Sequence, residues 1–300
     1  MLNAKLKNYL LLHLIVFIWG FTAILGALIS LDAIPLVWFR MSLAAVFIGI
    51  YVAFKRLNLR VSKKLLTTLI IAGGVIALHW ITFFMAIKVS NVSVTLATIS
   101  TGAFFTAFLE PIFYKRKMVW YEIMFGLIVI AGLYIIFNVG AQYKLGILLA
   151  LVSALLSAIF SLINGKLVQK LDSTVIGFYE ISSGVLLITL YLLFNGEFSL
   201  EYFQLSTSDW MYMLLLSSVC TAFAIVASVK VMKLISPYTV MLTINLEPIY
   251  GIFLAYLIFG DAEKMSEGFY VGGAVILATV LANGILKNTL KRKTAISQDK

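Results

Sequence analysis

Apolar residues run through this chain in ten blocks of about twenty, and polar residues gather in the short gaps between them. The blocks lie near 8–29, 34–54, 65–87, 92–114, 119–137, 145–164, 174–194, 210–229, 238–259 and 268–286. An α-helix rises about 1.5 Å per residue and the hydrocarbon core of a bilayer is about 30 Å thick, so each block matches one crossing. Membrane strands need only about ten alternating residues. The pattern therefore predicts an all-α integral membrane protein with ten transmembrane helices. The longest gaps, 55–64 and 195–209, are too short to fold alone. Lys5 and Lys7 precede the first block as they would in a signal peptide. Its length, with no small-residue cleavage site and polar continuation after it, marks a first span that is retained.

The second half of the chain resembles the first. A shift of 146 residues places Ser90 on Ser236 and Gly126 on Gly272, and a shift of 139 places Pro35 through Arg40 on Thr174 through Tyr179. Five crossings per unit is an odd number, so the second unit starts on the other side of the membrane. The expectation is two inverted five-helix repeats at 1–138 and 139–290, followed by a basic tail at 291–300. Leu109-Glu110-Pro111-Ile112-Phe113 also resembles Leu246-Glu247-Pro248-Ile249-Tyr250, at a shift of 137 that conflicts with the first. The 146 register keeps the spans whole and is preferred.

Composition agrees with a lipid environment: 62% of residues are hydrophobic, 12% are charged, and the mean hydropathy is +1.04. The net charge of +10 is one-sided. Of the 23 lysines and arginines, only Lys88, Lys144 and Lys264 fall opposite the N-terminus, and Arg40 lies within a span. Asp32, Glu197, Glu201, Asp209, Asp261, Glu263 and Glu267 lie on that opposite side. The positive-inside rule then places both termini in the cytoplasm, with the protein in the cell membrane. Read this way, the charge is a topology signal and not a nucleic-acid surface. Cys220 is the single cysteine, so no internal disulfide forms. No metal site or cofactor is expected.

Ionisable groups at membrane depth cost about 2.5–3.5 kcal/mol on insertion scales, so each asks for a reason. Arg40, Glu180 and Glu247 are the candidates, with Glu110 close enough to Lys115 to reach the interface. Depth separates Arg40 from Glu180, whereas Arg40 can reach Glu247. Either a buried ion pair or a site for solute or protons fits them. Pro248 removes a backbone donor and frees a carbonyl near Thr243 or Ile244, as in the broken helices of carriers. Ser153, Ser157, Ser161 and Asn164 share one face of span six, and Thr98, Thr101 and Phe105 form a stripe on span four. Close packing or a wetted path suits both stripes. Trp19, His79, Trp80, Phe83, Phe160, Tyr179 and Tyr250 can wall a cavity for a flat or amphipathic solute, and a mid-span imidazole at His79 needs a hydrogen-bond partner. Gly268 and Gly272 read as a small-residue contact, internal to the fold or between two copies.

These residues resemble the EamA family of the drug/metabolite transporter superfamily. The resemblance rests on Phe17-Ile18-Trp19-Gly20, Pro35 through Arg40, Ser236-Pro237, Leu246 through Tyr250, Gly260-Asp261 and Gly272-Gly273, in that order across a 5 + 5 arrangement. The chain has Asp261 where the family usually carries Glu, and the first half runs Tyr114-Lys115-Arg116-Lys117 with no such acid. The resemblance implies a permease of the cytoplasmic membrane that moves small metabolites such as amino acids, commonly outward.

Inverted repeats suit alternating access, because exchanging the conformations of the two halves turns one open side into the other. The expected activity is thus secondary transport of a small organic solute within the lipid bilayer, with protons as a possible partner and either a monomer or a homodimer as the unit. No phosphate-binding Gly-Lys motif points to nucleotide hydrolysis. An intramembrane enzyme is the alternative, though two histidines and one cysteine leave few ingredients for a nucleophile and its base.

Overall fold

The computed structural model describes residues 4–115, 120–139, 141–198 and 201–298, and all of their regular structure is helical. The first half runs α1 (Ala4–Leu28), α2 (Ala33–Lys55), α3 (Lys63–Val89), α4 (Val92–Ile99), α5 (Gly102–Tyr114) and α6 (Trp120–Val139). The second runs α7 (Lys144–Leu167), α8 (Ser173–Phe194), α9 (Thr207–Ser217), a π-helical turn (Ser218–Phe223), α10 (Ala224–Val231), α11 (Pro237–Ile244), α12 (Glu247–Phe259) and α13 (Glu267–Gln298). Among the described residues, eight continuous or broken segments are long and apolar enough to cross a membrane. The fifth and tenth crossings hold shorter apolar stretches, Met124–Ile136 and Glu267–Asn283.

Polar residues in the gaps start these helices. Ser62, Asn91, Asp172, Ser206 and Ser236 each accept from a backbone N–H in the first turn that follows, satisfying donors that no helix can pair internally. Between the caps, large apolar side chains point outward: Phe54, Trp120 and Phe194 are 79%, 75% and 88% exposed. A water-soluble domain would hide such residues, so this surface is matched to lipid.

The two halves pack as exchange partners. The second crossing lies against the seventh, the fourth against the ninth, and the fifth against the tenth. The third packs on the sixth and seventh, and the eighth packs correspondingly on the first and second. Both members of the fourth–ninth pair are broken in mid-span, α4 from α5 and α11 from α12. Asn91 and Ser236 cap their first pieces, and Gly102 and Glu247 open their second pieces. The register is therefore one residue off the expected pairing of Ser90 with Ser236. The two Leu-Glu-Pro motifs are not equivalent: Glu110-Pro111 lies late in α5, whereas Glu247-Pro248 starts α12.

Different chemistry makes the two breaks. Pro248 sits in the first turn of α12, where its missing N–H costs nothing. The break between α4 and α5 has no proline and was not expected. There the hydroxyls of Ser100 and Thr101 donate to the carbonyls of Ala97 and Thr98 at 2.6 and 2.8 Å, taking acceptors the helix would otherwise use.

Glycines set the closest approaches. A Cβ on Gly73 of α3 would fall 2.4 Å from the Glu180 carbonyl oxygen of α8. Gly272 faces Gly132 and Ile136 of α6, so its contact is internal to the fold.

Candidate functional site

Helix breaks at mid-span release backbone groups and leave space, and here a cavity of about 80 Å³ lies beside them. Trp19 and Thr22 of α1, Arg40 of α2, and Ile76, His79, Trp80 and Phe83 of α3 form one side. Ile99, Ser157, Phe160, Ser161, Ile225, Ser228, Met232, Met241, Ile244 and Glu247 complete it. A water needs about 10–15 Å³ by this kind of measure, so the space holds several.

Arg40 is 1% exposed. Its Nε donates to the Thr221 hydroxyl at 2.7 Å, and its guanidinium carbon lies 3.9 Å from the Trp80 ring centroid and 5.4 Å from that of Phe84. Thr221 belongs to the π-helical turn, and its hydroxyl donates a hydrogen bond to the Leu216 carbonyl at 2.6 Å. The turn thus delivers an oriented acceptor, while the Trp80 face offers the cation a weakly polar partner. Nη1 of Arg40 is buried with no hydrogen-bond partner. Trp19 braces the same turn by donating from Nε1 to the Cys220 carbonyl at 3.2 Å.

His79 finds the partner its position demands. Its Nδ1 lies 2.9 Å from the Ser153 carbonyl, which only accepts, so Nδ1 carries the proton. The Ser153 hydroxyl in turn donates to the His79 carbonyl at 2.9 Å. Whenever the ring is neutral, Nε2 is then an acceptor.

Glu247 is 8% exposed and opens α12, where the first-turn N–H groups favour negative charge. Arg40 and Glu247 border the same cavity and act on each other by charge, while the hydrogen bond from the arginine Nε goes to Thr221. The expected reach of Arg40 to Glu247 is one of charge here, with the arginine's hydrogen bond made to Thr221. The cavity brings together Trp19, Arg40, His79, Trp80, Phe83, Ser157, Phe160 and Glu247.

The other sequence candidates lie elsewhere, each for a local reason. Thr98 and Thr101 are fully buried around the α4–α5 break, where Thr101 donates back to the Thr98 carbonyl. Phe105 packs on Phe104 at 5.5 Å. Tyr250 meets Phe17 at 5.7 Å between α1 and α12. Tyr179 donates to the Leu59 carbonyl at 2.6 Å near the basic face. Glu180 is fully buried beside Asn164, whose Nδ2 donates to it at 3.0 Å, and its second oxygen has no partner.

Ser161, named in the span-six stripe, lines the cavity beside Ser157, whereas Thr22 and Ile76 are lining residues that sequence reasoning left off the site. Each sits one helical turn from a chosen residue, so extending each face by a turn would have found them. Ile225, Ser228 and Met232 carry neither charge nor ring to mark them. Thr221 was hidden because the turn that aims it departs from the 3.6-residue period.

Ties cross the face opposite the basic one. Asp209 accepts from the Ser30 amide at 2.8 Å and the Ser30 hydroxyl at 2.6 Å, joining α9 to the α1–α2 connection. Lys88 donates to the Ile29 carbonyl at 2.5 Å. The Glu263 carboxylate accepts from the amides of Val92 and Ser93 at 2.9 and 2.8 Å, holding the first turn of α4. Rings of Trp38, Phe39, Phe198, Tyr202 and Phe203 cluster at the same end. The cavity wall extends the other way, to Met232 beyond the end of α10.

The family model of the EamA-like transporter family matches residues 6–138 and again residues 144–285. No curated protein matches the chain. A solved structure described only as "Crystal structure of protein" superposes with a TM-score of 0.68 at 16% identity, covering 94% of this chain and 99% of that one. At that identity the likeness concerns the fold.

Proposed function

Because the chain belongs to the EamA-like transporter family, we propose that it is a secondary carrier of zwitterionic organic solutes, amino acids or related compounds, working by alternating access. One observation carries the solute class. A cation and a carboxylate, Arg40 and Glu247, border one buried cavity and act on each other by charge, while the hydrogen bond from the arginine Nε goes to Thr221. A solute with a carboxylate and an ammonium group offers a hydrogen-bonding partner to each. Nη1 of Arg40 is the free donor for the carboxylate; Glu247 takes the ammonium. Trp19, Trp80, Phe83 and Phe160 offer ring faces to an apolar side chain.

The ties across one face and the reach of the cavity to Met232 support a conformation closed away from the basic side. With both termini cytoplasmic, the solute then meets the cavity from inside the cell, which suits export across the cytoplasmic membrane. The repeats at 1–138 and 139–290 rock against each other around the fixed cavity, leaving 291–300 as a tail. A proton on Glu247 or His79 is the coupling partner that the lining residues allow.

Counterflow of labelled amino acids in proteoliposomes tests this reading. Arg40→Ala and Glu247→Gln should abolish exchange while both variants insert normally. Wild-type flux in both removes these residues from the site, and chemical turnover of the solute favours the enzyme alternative.

A further inference from the structure

The eighth crossing has empty space on two sides. Ile225 and Ser228 of α10 face the central cavity, while Val226, Ala227 and Lys230 border a second space of about 560 Å³. Phe47 and Tyr51 of α2 form its other wall. Tyr51 and Phe223 stand at its rim, 49% and 45% exposed, so the groove opens on the lipid-facing surface. An apolar space at that depth gives water too few partners to stay, whereas an acyl chain fills it without loss.

The end of the groove at the basic face is charged. Asp172 and Lys230 both border it and do not pair with each other, and Ser173 and Thr174 add hydroxyls there. Asp172 accepts from the Thr174 amide at 2.8 Å as the cap of α8, which fixes its carboxylate at the mouth. A purely anionic headgroup would meet that carboxylate as a like charge. A phosphate linked to a primary ammonium satisfies both: the phosphate meets Lys230 and the ammonium meets Asp172.

We propose that this groove is a binding site for a zwitterionic aminophospholipid of the surrounding bilayer, with one acyl chain lying between α2 and α10. The bound lipid braces the π-helical turn from outside. Ala222 and Phe223 of that turn face the groove, while its Thr221 holds Arg40. Filling the groove therefore supports the acceptor that positions the cavity's cation. Lipid binding stands apart from the transport reading, since it is measured without transport.

Native mass spectrometry of the full chain, exchanged into dioleoyl phosphatidylethanolamine or dioleoyl phosphatidylglycerol, tests the site. The wild type should retain one phosphatidylethanolamine about tenfold more strongly than phosphatidylglycerol, as expected for one additional charge-assisted contact. Asp172→Asn keeps a capping side chain but removes the charge, and should erase the preference. Ala227→Phe fills the groove and should lose the retained lipid. Equal retention of the two lipids by the wild type overturns the proposal, as does a preference that survives Asp172→Asn. A lipid-free dimer that covers the groove overturns it as well.

Discussion

Thr221→Val removes, at nearly constant shape, the hydroxyl that accepts from Arg40 and donates to the Leu216 carbonyl. The Arg40 Nε to Thr221 hydroxyl bond measures 2.7 Å and is fully buried. Hydrogen bonds to charged groups are worth about 1.5–3 kcal/mol, and each 1.4 kcal/mol is a factor of ten in affinity. Water in the cavity can replace part of the lost partner, so the lower end of that range applies. Half-saturation of counterflow should rise about tenfold for amino acids. It should change little for an amine lacking the carboxylate, because only the carboxylate depends on Arg40. Thr221→Ser keeps the hydroxyl and should stay near wild type. Unaltered half-saturation in Thr221→Val refutes the reasoning. Equal damage in Thr221→Ser would trace the effect to the lost methyl group.

Two further variants test the frame around the cavity. Glu263→Ala frees the amides of Val92 and Ser93. It should speed labelling of Thr22→Cys by an impermeant maleimide added opposite the basic face, in a Cys220→Ala background; an unchanged rate contradicts the role of this tie. Gly73→Val drives a Cβ to 2.4 Å from the Glu180 carbonyl. Backbone cannot yield there as a side chain does, so the thermal midpoint in detergent should fall by an amount equivalent to about 1–3 kcal/mol, and a midpoint at the wild-type value shows that α3 and α8 can separate freely.

The ten crossings were readable because lipid imposes a length on every apolar block, and because charge separates the two faces. The odd count of spans per repeat then fixed their inversion. The cavity's rings and charges were readable in part, since Arg40, His79 and Glu247 are expensive at such depth. What escaped was backbone chemistry. The break at Ser100-Thr101 depends on hydroxyls bending back onto carbonyls, a pattern that small polar residues also show in unbroken helices. The π-helical turn at Ser218–Phe223 adds a residue to one helical turn with no proline or glycine to announce it. Tyr179 and Tyr250 looked like cavity rings because periodicity gives a face without saying which neighbour that face meets.

The carboxylates that fasten one mouth of this protein, Asp209 and Glu263, have no acidic counterparts in the corresponding connections of the first repeat, 55–64 and Tyr114-Lys115-Arg116-Lys117. A carrier with equally tied ends would divide its idle time evenly between its two orientations. Unequal fastening tilts that division, and an empty carrier waiting mostly on one side saturates at a lower concentration there than across the membrane. The gradient alone still decides the sign of net movement. Two acidic side chains, far from the solute, would thus set how dilute a pool the carrier can draw from.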